Sequence, residues 1–172
     1  YMSLGNSLTA GYMDSGLIQN GQVASYPRLI AGKMGIDTTI GSGDFNQPWI
    51  AHPGIGSSTP SSPANAAGVL YYDGSSITVL DETPLAEIQS ILLAATNPTP
   101  YHNLGVPGAL LSDVMGAYSA ATSYGAVDGN PATNPNPFFD FINRASFFGN
   151  LTGNPATEDP TEQPSMFRAA VA

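Results

Sequence analysis

A serine near the start of the chain has the neighbours that a nucleophilic serine needs. Ser7 follows Gly5 and Asn6 after a short, mostly apolar segment, residues 1–4, which can form the end of a buried strand. Gly5 permits a tight turn and lets a substrate approach the backbone. Ser7 would then begin the next helix or turn, where its N–H is free to stabilise an oxyanion. The pattern predicts attack by the Ser7 hydroxyl, and a plain turn is the alternative that this segment alone leaves open.

A second segment with a turn of this kind occupies residues 101–109. An extended stretch that contains His102 and Asn103 leads into Gly108 and then into a small residue. In sheets whose strands alternate with helices, binding sites lie beyond the carboxyl ends of the strands. Because Ser7 and Gly108 each follow a predicted strand, we expect both residues to belong to one shared site.

The two segments together resemble the SGNH, or GDSL, family of serine esterases and lipases. The family's first block is Gly-Asp-Ser-Leu, and residues 5–8 read Gly-Asn-Ser-Leu, with Asn6 in place of the aspartate. The second block supplies a glycine of the oxyanion hole, and Gly108 matches it. The resemblance is strong over residues 3–11 and 101–114. Between these segments it extends only to their positions along the chain.

The resemblance implies acyl transfer with Ser7 as the catalytic nucleophile. It also implies that the backbone N–H groups of Ser7 and Gly108 form part of the oxyanion hole. Asn6, His102 and Asn103 are then candidates for lining the substrate. No metal and no organic cofactor is expected, and the implied substrate is a small-molecule, lipid or acylated-sugar ester.

Two blocks of the family pattern are absent from the sequence. The Gly-x-Asn-Asp block needs an Asn-Asp pair, which does not occur, and no aspartate has a histidine three residues later, as the Asp-x-x-His block requires. A serine hydroxyl is a poor nucleophile without an adjacent base. We therefore expect residues 1–172 to be the N-terminal portion of a single SGNH-type domain, with the base beyond Ala172 and negligible turnover by this chain alone.

The fold implied by the family is a three-layer α/β/α sandwich of the flavodoxin type, incomplete in this chain. The residue patterns themselves favour an α/β class, with strands at 1–4 and 101–106 and helices at 25–34 (capped by Ser25), 83–95 and 110–121. Two β-rich runs around Asp73-Gly74 predict an inserted β-hairpin at 68–80. With its flanking long loops, the insertion covers about residues 37–82. An aromatic segment at 137–148 is interpreted as core rather than as a lipid-binding cap.

Composition excludes several other classes of function. The net charge is −9 with four lysines and arginines, so no basic patch exists to bind a nucleic acid backbone. Cysteine is absent, and no apolar run is long enough to span a bilayer. Scarce lysine with abundant small polar residues favours an extracytoplasmic location: secreted, periplasmic or outer envelope. The alternative to an esterase is a non-catalytic envelope or surface binding module on a hydrolase scaffold, which a downstream Asp-x-x-His would argue against.

Overall fold

The computed structural model describes residues 1–56, 67–80, 82, 101–117, 122–124, 138, 139 and 142. In these ranges the chain forms short strands and helices. Their order is β1 (Ser3–Gly5), α1 (Ser7–Ala10), β2 (Gly16–Leu17), α2 (Gln19–Val23), α3 (Tyr26–Lys33), β3 (Ile55–Gly56), β4 (Leu70–Tyr72), β5 (Ile77–Val79), β6 (Asn103–Gly105) and α4 (Leu111–Gly116). The predicted helix at 83–95 lies outside the described residues.

β1 and β6 form a parallel pair in the described core. The last two residues that pair are Gly5 and Gly105. Leu104, the middle residue of β6, is fully buried. Parallel strands need a long crossover connection, which in α/β proteins usually contains helices. The two predicted core strands are confirmed, although each is shorter than its apolar segment because only three residues on each side pair.

The predicted hairpin is also confirmed. β4 and β5 pair antiparallel, with Tyr72 beside Ile77. The turn between them is held by the carboxylate of Asp73, which accepts hydrogen bonds from the backbone N–H groups of Ser75 and Ser76, each at 2.8 Å. These bonds lower the pKa of Asp73 to about 2 because they stabilise the ionised form. A second antiparallel pair, β2 with β3, was not predicted.

The helix predicted at 25–34 is confirmed as α3, and Ser25 occupies its N-cap position as predicted, but the Ser25 side chain does not cap the helix. Ser25 makes no capping hydrogen bond, and its Oγ is buried without a partner. A capping side chain bonds the second or third N–H of a helix. Pro27 occupies the second position and has no N–H to offer. The Ser25 side chain is instead packed into the protein interior, with 3% of its surface exposed.

The helix predicted at 110–121 is shorter than expected. α4 ends at Gly116, and Ala117 is already extended, with ψ of 132°. Glycine is a poor helix former, which favours an end at this position. At the other end of the helix, the carboxylate of Asp113 accepts the Leu110 N–H at 2.9 Å and also the Tyr124 N–H at 2.7 Å. Asp113 thereby fixes the start of α4 against the segment at 122–124.

The described core gathers apolar side chains from distant parts of the chain. Its buried members include Leu17, Ile50, Ile55, Leu104, Val106, Phe138, Phe139 and Ile142. Phe138 also meets Tyr12 edge to face, with ring centroids 6.3 Å apart. The interpretation of the aromatic segment as core is confirmed for these three of its residues, and the rest of that segment lies outside the described part of the chain.

The described structure is therefore of a mixed α/β class. It contains a parallel strand pair, two antiparallel pairs and short helices between them. Within the described ranges, no helix has the length and apolar character that crossing a bilayer would require.

Candidate active site

Ser7 lies at a sharp corner between β1 and α1. It is the first residue of α1, where a backbone N–H has no acceptor within the helix. Asn6 caps the helix by accepting the Leu8 N–H at 3.4 Å. Asn6 is exposed and Ser7 is half-buried, so both side chains reach the surface. The family's aspartate can accept the same hydrogen bond, and Asn6 therefore preserves the corner without adding a charge.

Gly108 lies at the matching corner between β6 and α4. The Ala109 N–H donates to the Val106 carbonyl at 3.0 Å, which closes a four-residue turn. Pro107 is the first central residue of this turn and Gly108 is the second, with φ of 77°. These are the marks of a type II turn, in which the second central residue needs the left-handed region and is usually glycine. The turn fixes the direction of the Gly108 N–H.

The two corners meet at the Ser7 hydroxyl. The Gly108 N–H donates to Ser7 Oγ at 3.4 Å, which is long for such a bond and leaves the donor weakly engaged. The Ser7 N–H lies at the same corner. Two backbone donors beside a hydroxyl oxygen are the arrangement that stabilises negative charge on an oxygen attached to a carbon under attack.

Glycines allow α1 to lie directly on the strand pair. A Cβ at Gly5 would overlap the Thr9 side chain, and a Cβ at Gly105 would overlap the backbone of Thr9 and Ala10. The Val106 N–H donates to the Gly5 carbonyl at 2.9 Å, immediately beyond the last paired residues. The close packing brings the carboxyl ends of β1 and β6, and the corners that follow them, side by side.

Asn103 does not reach the surface at this site. Its side chain is buried, with 2% of its surface exposed. Its amide nitrogen donates to the Thr9 carbonyl at 2.9 Å and to Gln47 Oε1 at 3.0 Å. Because the amide is buried and fully engaged, we leave Asn103 out of the residues proposed to contact substrate.

His102 lies at the opposite end of the strand pair from Ser7. Its carbonyl accepts the Ser3 N–H at 2.8 Å, before the first paired residues, whereas Ser7 follows the last ones. Its Nδ1 accepts the Asn46 N–H at 2.9 Å, and its ring stacks on Phe45 at 6.0 Å. Burial lowers the pKa of His102, the positive amino terminus lowers it further, and Asp44 opposes both. His102 is thus a neutral histidine in a structural position, remote from the candidate nucleophile.

The described residues supply a candidate nucleophile and two backbone donors, but no proton acceptor beside the Ser7 hydroxyl. In this part of the chain, the Ser7 hydroxyl has no imidazole or carboxylate within hydrogen-bonding distance, and His52 is exposed in a loop. The same residues contain no cluster of three or more His, Cys, Asp or Glu side chains that would hold a metal ion. The arrangement can present a serine and stabilise an oxyanion, and it needs a base from elsewhere.

Sequence reasoning did not predict that two glutamine side chains near the candidate site are buried. Gln22 and Gln47 are 1% and 0% exposed, and the Gln47 amide nitrogen donates to the Gln22 carbonyl at 3.2 Å. Both residues lie in polar or proline-containing stretches that predict surface loops. The pairing joins residues far apart in sequence, so periodicity carries no sign of it.

No protein-family model, curated protein or solved structure matches the chain. What points to a function is the geometry of the two corners, together with the sequence resemblance of the segments that form them.

Proposed function

We propose that this chain carries the nucleophile and part of the oxyanion hole of an SGNH-type carboxylic ester hydrolase. The observation that carries the proposal is the Gly108 N–H, 3.4 Å from Ser7 Oγ, at the carboxyl ends of a parallel strand pair. The parallel pair also supports the finer part of the proposal, a three-layer flavodoxin-like sandwich in which the hairpin belongs to an insertion.

The proposed reaction is acyl transfer through a covalent intermediate. Ser7 Oγ attacks the ester carbonyl carbon, and the carbonyl oxygen becomes an oxyanion held by the N–H groups of Ser7 and Gly108. The proton of Ser7 passes to a base and then to the leaving alcohol as the acyl–oxygen bond breaks. Water then attacks the acyl-enzyme, and the same groups return Ser7 to its free state. The proposed base is the histidine of an Asp-x-x-His block that lies outside residues 1–172.

A fluorophosphonate probe tests the proposal, because it reacts with serines that an enzyme has activated. We expect the natural full-length protein to be labelled once, at Ser7, as read by intact mass and peptide mapping. The Ser7→Ala variant should lose the label. The Ser112→Ala variant should keep it, since Ser112 is an exposed serine on α4, close in sequence to Gly108.

The 172-residue chain gives the second comparison. We expect no label on it, because it lacks the Asp-x-x-His block. Labelling of this chain at Ser7 would place the base inside it and overturn that part of the proposal. If the full-length protein takes up no label, the esterase proposal is refuted. The non-catalytic binding module would then be favoured, since Ser7 has no imidazole partner among the described residues.

A further inference from the structure

One buried side chain contacts both segments that form the candidate site. The amide nitrogen of Asn103 donates to the carbonyl of Thr9, in the helix that begins at Ser7. Its Oδ1 accepts the Gly105 N–H at 3.0 Å, at the end of the strand that leads to Gly108. A single planar amide therefore contacts both the helix that begins at Ser7 and the strand that leads to Gly108.

The Asn103 amide has one orientation that satisfies its neighbours. Its nitrogen faces two acceptors, the Thr9 carbonyl and Gln47 Oε1, and its oxygen faces two donors, the Gly105 N–H and the Ser3 hydroxyl at 3.3 Å. A flipped amide would oppose like groups at three of these contacts, the Thr9 carbonyl, Gln47 Oε1 and the Gly105 N–H, whereas the Ser3 hydroxyl can either donate or accept. Asn103 is thus held in place by its whole surroundings.

Gln47 is fixed in turn by Gln22. The Gln22 amide nitrogen donates to the Pro48 carbonyl at 2.6 Å, and its oxygen accepts the Ile50 N–H at 2.9 Å. These bonds tie the loop that carries Gln47 to α2. Gln47 therefore contacts Asn103, but its side-chain hydrogen bonds reach neither corner of the candidate site. This difference makes Gln47 a suitable comparison for Asn103.

We propose that Asn103 is a positioning residue that sets the distance between Ser7 Oγ and the Gly108 N–H. The inference rests on the proposed esterase function and adds a residue to it. Oxyanion donors act at 2.7–3.1 Å from the developing charge, so a small displacement of either corner weakens the transition-state contact. Asn103 acts through Thr9 and Gly105 and has no contact with substrate.

The test compares Asn103→Ala with Gln47→Ala in the full-length protein. Both variants remove a buried amide from the same network, so we expect similar losses in melting temperature. A misplacement of about 1 Å can cost about 100-fold in rate. For Asn103→Ala we expect kcat, corrected for the folded fraction, to fall by about 10- to 100-fold with KM nearly unchanged. For Gln47→Ala we expect a smaller fall in kcat, because the bonds of Asn103 to the Thr9 carbonyl and from the Gly105 N–H remain.

A second variant, Asn103→Asp, keeps the test decisive if Asn103→Ala does not fold. The protonated carboxyl can donate one hydrogen bond to the Thr9 carbonyl and accept the Gly105 N–H, whereas the ionised carboxylate repels the Thr9 carbonyl. Burial raises the pKa of such a carboxyl. The activity of this variant relative to the parent should therefore rise as pH is lowered.

Four results would overturn the inference. Equal losses of corrected kcat in Asn103→Ala and Gln47→Ala would mean that Asn103 has no positioning role beyond that of the rest of the network. An activity ratio for Asn103→Asp that does not change with pH would remove the role of its hydrogen-bond donor. Absence of fluorophosphonate labelling in the unsubstituted full-length protein would refute the esterase proposal and this inference with it, whereas normal labelling with an unaffected Asn103→Ala would refute only the inference.

Discussion

Replacement of Gly108 by alanine tests the donor corner directly. The backbone of Gly108 has φ of 77°, a region that an L-residue enters at a cost of about 1–2 kcal/mol. In Gly108→Ala, the turn can relieve this strain by rotating the peptide between Pro107 and residue 108, which changes a type II turn into a type I turn. The rotation turns the N–H of residue 108 away from Ser7 and leaves one oxyanion donor fewer.

The expected loss of activity follows from these two states of the turn. The resting bond to Ser7 Oγ, at 3.4 Å and exposed, contributes little to hold the N–H in place. The rotated turn should therefore predominate in the variant. Restoring the N–H during reaction costs no more than the strain, about 1–2 kcal/mol, which corresponds to about 5- to 30-fold in rate. Complete loss of a donor would lower kcat by about 100- to 1,000-fold. The loss in Gly108→Ala is smaller because the peptide can rotate back during the reaction.

The assay is kcat for a chromogenic ester with the full-length protein, beside a melting curve for each variant. Gly35→Ala is the matched control, because Gly35 has φ of 84° and open space around its Cα, and it follows α3, outside the candidate site. Both variants should lose similar stability, and only Gly108→Ala should lose the 5- to 30-fold in kcat. Unchanged kcat in Gly108→Ala, or an equal loss in Gly35→Ala, would refute the assignment of this N–H to the oxyanion hole.

Two further predictions concern titratable groups. The pKa of His102 is lowered in the folded state, so the unfolded chain binds this proton more readily. Protonation of His102 therefore reduces the free energy of unfolding at low pH, and this loss is absent above about pH 6.5. The urea midpoint of the protein should fall as pH drops from 7 to 5, and His102→Gln should reduce this slope; an equal slope in the variant would contradict the assignment. Asp73 should titrate in NMR with a midpoint of about 2, and its support of the hairpin should be present above pH 3.8 and lost as pH falls through 2. Amide exchange at Ser75 and Ser76 should quicken in Asp73→Ala, whereas a midpoint near 4 would show that the turn bonds are absent in solution.

The parts of the fold that depend on neighbouring residues could be predicted from the sequence. The Gly-Asn-Ser corner, the Pro107-Gly108 turn and the Asp-Gly hairpin each depend on a residue that favours one local conformation. Two predicted strands, each followed by such a corner and a helix, indicated an α/β sheet with both corners at one shared site. These features place Ser7 next to Gly108 in the structure, as expected from the sequence.

The parts that depend on distant partners could not be predicted. The family resemblance made Asn103 a candidate for lining substrate, but its surroundings come from Thr9 and Gln47, far away in the chain. Ser25 matched the local pattern of a helix cap, and Pro27 together with burial prevented that role. In both cases the side chain's environment is decided by packing, which leaves no periodic signal in the sequence.

The pairing of β1 with β6 joins two parts of the chain that are separated by residues 6–102. The entropy of closing such a connection changes slowly with its length, by about 0.6 kcal/mol for each doubling. Added length in an exposed loop of this connection would therefore disturb the two corners little, and new surface segments can be accommodated there without rebuilding the site. Pairing over such a distance also forms slowly. Ser7 and the Gly108 N–H meet only once this pairing exists, so a newly made chain does not bring the two corners together until its sheet has formed.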